Sequence, residues 1–124
     1  MIKENYPKDI RERAFEFAVR VFKMTKYLPR NSINNVLIIQ LIRSVTSIGA
    51  NIEEAQGAHT KSEFAHSMNI AKKEARETLY WLKLIIEVNT NFSKRLEGLL
   101  KENEEIIKIL TTIVKKVNLR TFNP

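Results

Sequence analysis

The feature that most constrains this chain is a spacing of apolar residues, in steps of three and four, that recurs in four segments with only short breaks between them. Ile10, Ala14, Phe17, Val21, Met24 and Leu28 carry it first, and Pro29 ends that segment. Ile38, Leu41, Val45, Ile48, Ile52 and Ala55 repeat it between a candidate cap at Ser32 and Gly57. The third segment opens on Thr60-Lys61-Ser62-Glu63, which has the form of a capping box, and continues through Phe64, Met68, Ala71, Ala75, Thr78, Leu82 and Ile85. Phe92, Leu96, Leu99, Asn103, Ile106, Leu110, Ile113 and Val117 make the fourth. Such spacing returns side chains to one side of an α-helix, so each segment is a helix with one side to bury. Three glycines and three prolines are too few for a fold of many strands and turns. Helices joined this closely must be antiparallel neighbours. The predicted fold is therefore all-α, an antiparallel up-down-up-down four-helix bundle in one domain, with helices at about 8–28, 32–56, 61–88 and 92–118.

A chain of 124 residues can bury roughly two-thirds of the surface that its unfolded form exposes, so it needs no staple. It has no cysteine, which removes disulfides and thiolate metal sites and fits a cytoplasmic location. The first residues lack an apolar signal region, and the longest uncharged stretch, Asn31 to Ile42, is twelve residues; neither a signal peptide nor a membrane span is expected. The formal net charge of +7 favours polyanionic partners. It is unevenly spread. From Phe17 to Ile52 there is no acidic residue, while Arg20, Lys23, Lys26, Arg30 and Arg43 are present.

Enzyme chemistries fail when residues are counted. Glu63-Phe64-Ala65-His66 has the Glu-x-x-His spacing of di-iron bundles, but such a site needs a second copy and more inward carboxylates. Only His59 remains, with Gln56 where its glutamate would stand, and His66 points away from the Phe64 and Met68 stripe. There is no glycine-rich phosphate loop and no Ser/His/Asp arrangement. Neither histidine follows an arginine at the spacing some helical ribonucleases use. The expectation is a chain without catalytic residues, cofactor or metal.

Two features exceed a minimal bundle. Gly49 falls on the apolar stripe, where glycine costs about 1 kcal/mol against alanine, and is expected to admit a closely packed neighbouring helix. On the other side of that segment Gln40, Arg43, Ser47, Asn51 and Glu54 share a face. Counting out from the turn near Gly57 brings Arg43 level with Glu74 and Gln40 level with Glu77. A structural polar cluster of Gln40, Arg43, Asn51, Glu74 and Glu77 is expected, rather than a catalytic pair of carboxylates.

The same residues carry a family resemblance. The run from Gln40 to Glu54 (QLIRSVTSIGANIEE), then Phe64, Ala71 to Thr78 (AKKEARET) and Trp81-Leu82, resembles the four-helix bundle family encoded in intervening sequences of bacterial 23S rRNA genes. The likeness is dense through the second and third helices and only a pattern of apolar positions in the first and fourth. Ala55-Gln56-Gly57 departs from the Glu-Gly expected directly after the helix, which affects the turn. The resemblance implies a bundle that assembles into a ring, commonly a pentamer, without established catalysis. It also implies kinship with accessory proteins of diversity-generating retroelements, which are basic, bind nucleic acid and partner a reverse transcriptase.

Assembly has its own evidence in the residues. At about 100° per residue, Phe15, Val19 and Phe22 project away from the Ile10 to Leu28 stripe, and Tyr80 and Leu84 lie on the outer side of the third helix. An isolated bundle would leave them wet, so they are the expected subunit interface. Lys94, Lys101, Lys108 and Lys115 recur every seven residues on the fourth helix, and Lys23, Lys26 and Arg30 lie on the first; together they are the candidate nucleic-acid-binding residues. Glu97, Glu104 and Glu105 stand three or four residues from those lysines, as on an ordinary solvated face. Tyr27 could stack on a base or simply pack. Two functions remain open: a homo-oligomeric module that binds nucleic acid, RNA above all, and a scaffold for itself or another protein.

Overall fold

In a computed structural model of the chain, the described residues are 9–122, and they form four α-helices with no strand among them. These are α1 (Ile10–Thr25), α2 (Ser32–Gln56), α3 (Lys61–Val88) and α4 (Ser93–Phe122), with a single 3-10 turn at Thr90–Phe92 before α4. The expected start of the first helix at Lys8 lies outside the described residues.

Side chains near each start take up backbone donors that the helix leaves unpaired. Asp9 Oδ1 accepts from the Glu12 N–H at 3.1 Å. Asn31, rather than Ser32, caps α2, its Oδ1 accepting from the Asn34 N–H at 2.8 Å. At α3 the Thr60 hydroxyl accepts from the Glu63 N–H, while the Glu63 carboxylate reaches back to the His59 N–H at 2.8 Å, one residue beyond the cap itself. Each such cap is worth about 1 kcal/mol. The first helix stops at Thr25, before its apolar stripe does. Pro29 disfavours helical backbone at Leu28, so the N–H groups of Tyr27 and Leu28 close tight turns onto Met24 and Thr25 while Leu28 stays buried.

α1 packs on α2 and α4, and α3 packs on the same two, which puts α2 and α4 at opposite corners. One core draws on all four: Phe17 and Val21 from α1, Leu41, Val45, Ile48 and Ile52 from α2, Met68, Leu82 and Ile85 from α3, and Leu96, Ile106 and Leu110 from α4. Burying each such side chain contributes about 1.5–3 kcal/mol. Beyond Leu110 the stripe of α4 moves to Val114, leaving Ile113 and Val117 only half-buried. A helix of 3.6 residues per turn drifts against a strict seven-residue repeat, and the extra step of four corrects it.

Polar pairs inside the core fix which residues face each other. Asn34 and Asn89 exchange two amide hydrogen bonds at 2.9 Å, Thr78 donates to Ser44 Oγ at 2.8 Å, and the Asn103 amide donates to the Ala75 carbonyl at 2.9 Å. Sliding a helix would leave these buried groups unpaired at about 1–3 kcal/mol apiece.

Candidate nucleic-acid interface and assembly face

α2 is long and apolar enough, by length and composition, to cross a membrane, yet only 39% of its most apolar window is buried. Its inner side supplies the core. Its outer side exposes Ile33, Val36 and Ile39, the last to 65%. Beside them runs a groove of about 370 Å³ between α1 and α2, lined by Phe15, Ala18, Val19 and Phe22 from one helix and by Val45, Thr46, Gly49 and Ala50 from the other. Phe15 is 70% exposed and Phe22 37%, while Val19 is half-buried. The groove ends at an ion pair between Arg11 and Glu53 at 3.1 Å.

Gly49 has a role other than the close helix packing expected of it. A Cβ added there would sit 3.9 Å from Ala14 Cβ, an ordinary contact, so the two helices do not need glycine to approach. What the missing side chain leaves is depth in the groove. On α3 a second apolar group stands outward: Tyr80 is 56% exposed with its ring edge-on to Trp81 at 5.2 Å, and Leu84 is half-buried.

Between these apolar regions lies the polar cluster. Arg43 hydrogen-bonds to Glu77 and stands 3.6 Å from Glu74. Gln40 does not meet Glu77; its Oε1 accepts from Arg43 Nε at 3.3 Å, and the Trp81 indole N–H donates to Glu77 instead. The register seen at Ser44 and Thr78 puts Arg43, not Gln40, opposite Glu77, so the Gln40 to Glu77 pair expected from the residue count does not form. Asn51 stands outside the cluster, donating back along α2 to the carbonyl and hydroxyl of Ser47.

The α4 side is different in kind. Lys94, Lys101, Lys108 and Lys115 are all exposed, as are Lys23, Lys26 and Arg30, of which only Lys23 lies on α1 and the other two, expected on that helix, lie past its end because it stops at Thr25. Of these seven, only Lys108 forms an ion pair among the described residues, with Glu105 at 3.5 Å. The seam between α1 and α4 carries three contacts that single-helix counting does not reveal. Arg13 pairs with Glu102 through two hydrogen bonds of 2.7 and 3.0 Å. Hydrogen bonding to Glu102 raises the Arg13 pKa above its ordinary value despite the opposing effect of burial. Arg20 lies across Gly98, its Nη2 within 3.4 Å of where a Cβ would be. Arg95 stacks on the Tyr27 ring at 4.3 Å.

His59, His66, Glu54 and Glu63 line an open polar depression at the turn between α2 and α3. Among the described residues no three histidines or carboxylates converge on a point where a metal could sit.

Residues 8–112 match the model of the 23S rRNA-intervening sequence protein family. A solved structure, a protein with unknown function from the S23 ribosomal protein family of Bacteroides thetaiotaomicron VPI-5482, is 39% identical, with a TM-score of 0.79; the match covers 86% of this chain and 99% of that one. No curated protein matches. The chain belongs to the 23S rRNA-intervening sequence protein family.

Proposed function

We propose that this protein is a non-catalytic module that assembles with copies of itself through the α2 side and binds RNA through the cations of α1 and α4. The observation that carries the reading is that Phe15 and Phe22 of α1 and Ile33, Val36 and Ile39 of α2 are exposed along the α1–α2 side, while Lys23, Lys26, Arg30, Lys94, Lys101 and Lys115 are exposed and form no ion pair among the described residues. The up-down-up-down course is supported by contacts that climb one helix as they descend the next, Asn34 with Asn89 and then Arg43 with Glu77, or Arg13 with Glu102 and then Tyr27 with Arg95. The apolar groove of α1 and α2 and the Tyr80 and Leu84 ridge of α3 are different surfaces on one subunit. Joining one to the other is a head-to-tail contact, which closes into a ring when the rotation permits. A ring would repeat each basic patch and multiply its affinity. It would serve in the cytoplasm, beside an RNA-handling enzyme such as a reverse transcriptase.

Cations of this kind neutralise backbone phosphates and are largely sequence-tolerant. Reversing Lys23, Lys26 and Arg30 to glutamate should weaken binding to single-stranded RNA and flatten the log–log salt slope by roughly 0.7 for each phosphate no longer neutralised. Reversing Lys101 and Lys108 should matter less, because Glu97, Glu104 and Glu105 already lower the potential there. If the assembled triple variant keeps its affinity and salt slope, the scaffold reading replaces this one.

A further inference from the structure

The turn after α1 holds an exposed aromatic ring more firmly than its position suggests. Leu28, beside Tyr27, is buried, and the Pro29 carbonyl accepts a hydrogen bond from the Asn34 amide at 2.9 Å. Asn34 is in turn locked to Asn89 inside the core. On the preceding side the Tyr27 N–H donates to the Met24 carbonyl at 3.0 Å, so Tyr27 projects from a backbone fixed on both sides. Arg95 covers one face of its ring, yet the residue remains 59% exposed, which leaves the other face open.

The surroundings are mainly cationic, with Glu97 the first acidic residue met along α4. The two stretches of chain that meet here, 17–52 and 88–96, contain no acidic residue. The first turn of α4 also lacks an acidic residue and carries Lys94 and Arg95, so their charges add to the positive end of a 30-residue helix. Further along the same seam the exposed Arg20 passes beside Gly98. The Arg95 guanidinium is held against the Tyr27 ring. Ordering it before binding lowers the entropy cost of binding.

An open ring face among exposed cations is the combination that single-stranded nucleic acid uses and a folded duplex cannot, since a paired base has no face to offer. We propose that the Tyr27 end of the α1–α4 seam is a single-strand site, where an unpaired base stacks on the open face of Tyr27 while Arg95 and Arg20 take the flanking phosphates. This rests on the nucleic-acid reading above and assigns it a place and a ligand form. Tyr27 is the residue that senses bases; the arginines sense only charge.

The test uses the full chain and two strands of equal length, an oligouridine and its abasic counterpart, with affinities read by fluorescence anisotropy at several salt concentrations. Wild type should prefer the base-bearing strand. Y27L should lose roughly 5- to 150-fold on that strand and much less on the abasic one, where freeing Arg95 is the only loss, and Y27F, which keeps the ring and the seat for Arg95, should bind as wild type does. R95Q should weaken both strands and flatten the salt slope by roughly 0.7. If wild type binds but Y27L is indistinguishable from it, or weakens both strands equally, the stacking site is wrong and the broader reading survives. Absence of wild-type binding to either strand sinks both.

Discussion

α2 and α4 stand at opposite corners and bury stripes of similar spacing, but they turn unlike surfaces outward. Between Ser32 and Ile52, α2 has one charged residue, Arg43; over a comparable length α4 alternates lysines and glutamates. The buried stripes make both of them helices of the same core. They leave the outer sides free to differ, and it is there that the two helices divide the work we propose. A polar exterior on α2 would have served folding equally well, so the apolar one requires another explanation, which the neighbouring subunit we propose would supply.

The largest effect should separate the two sides of α2 itself. Leu41→Ala removes a fully buried side chain and should destabilise the fold by about 2–5 kcal/mol, whereas Ile39→Ala, on the outer side, should change subunit stability by about 0.5 kcal/mol or less and instead weaken assembly. Urea unfolding at several protein concentrations distinguishes them, because only the loss of assembly varies with concentration. Next comes the contrast between corners. Phe15→Glu with Phe22→Glu should dissociate the assembly with helicity largely kept, while Lys101→Glu with Lys108→Glu should leave its mass unchanged; equal effects on mass would erase the distinction between the faces.

Gly49→Ala is a smaller and more discriminating change. Within one subunit the new methyl meets only an ordinary contact, and helix propensity should add about 1 kcal/mol of stability. In the assembly the same methyl makes the groove shallower and should cost affinity between subunits. A variant that gains in both respects would show that nothing sits on Gly49. Smallest of all, Glu105→Gln should cost about 0.5 kcal/mol or less, since its pair with Lys108 is exposed and screened by salt.

The core is readable from sequence because its signal is local. Spacing alone finds Phe17, Leu41, Leu82 and Leu110, and an angle count finds Phe15 and Phe22 on the outside of α1. On α2 the inward stripe says nothing of Ile33, Val36 and Ile39, which only the same angle count on the outer side brings out. Arg43 can be placed beside Glu74 because both lie a short way from one turn. The seam between α1 and α4 has no such anchor. Arg13 with Glu102, Arg20 with Gly98 and Tyr27 with Arg95 join residues far apart in sequence, and their axial register depends on every turn between them. A shift of one residue rotates a side chain by about 100°, so counting cannot carry that far. The buried Asn34 and Asn89 pair is illegible for the same reason, each looking like an ordinary loop or cap asparagine.

Assembly is the claim on which the apolar α2 face, the depth at Gly49 and the multiplied basic patches all depend. Light scattering coupled to size exclusion, at micromolar concentration and moderate salt, measures it without a label or a ligand. The expected result is one species at an integer multiple, greater than one, of the 14.5 kDa subunit mass, unchanged by salt because the contact is apolar. A single 14.5 kDa species across that concentration range would contradict the account.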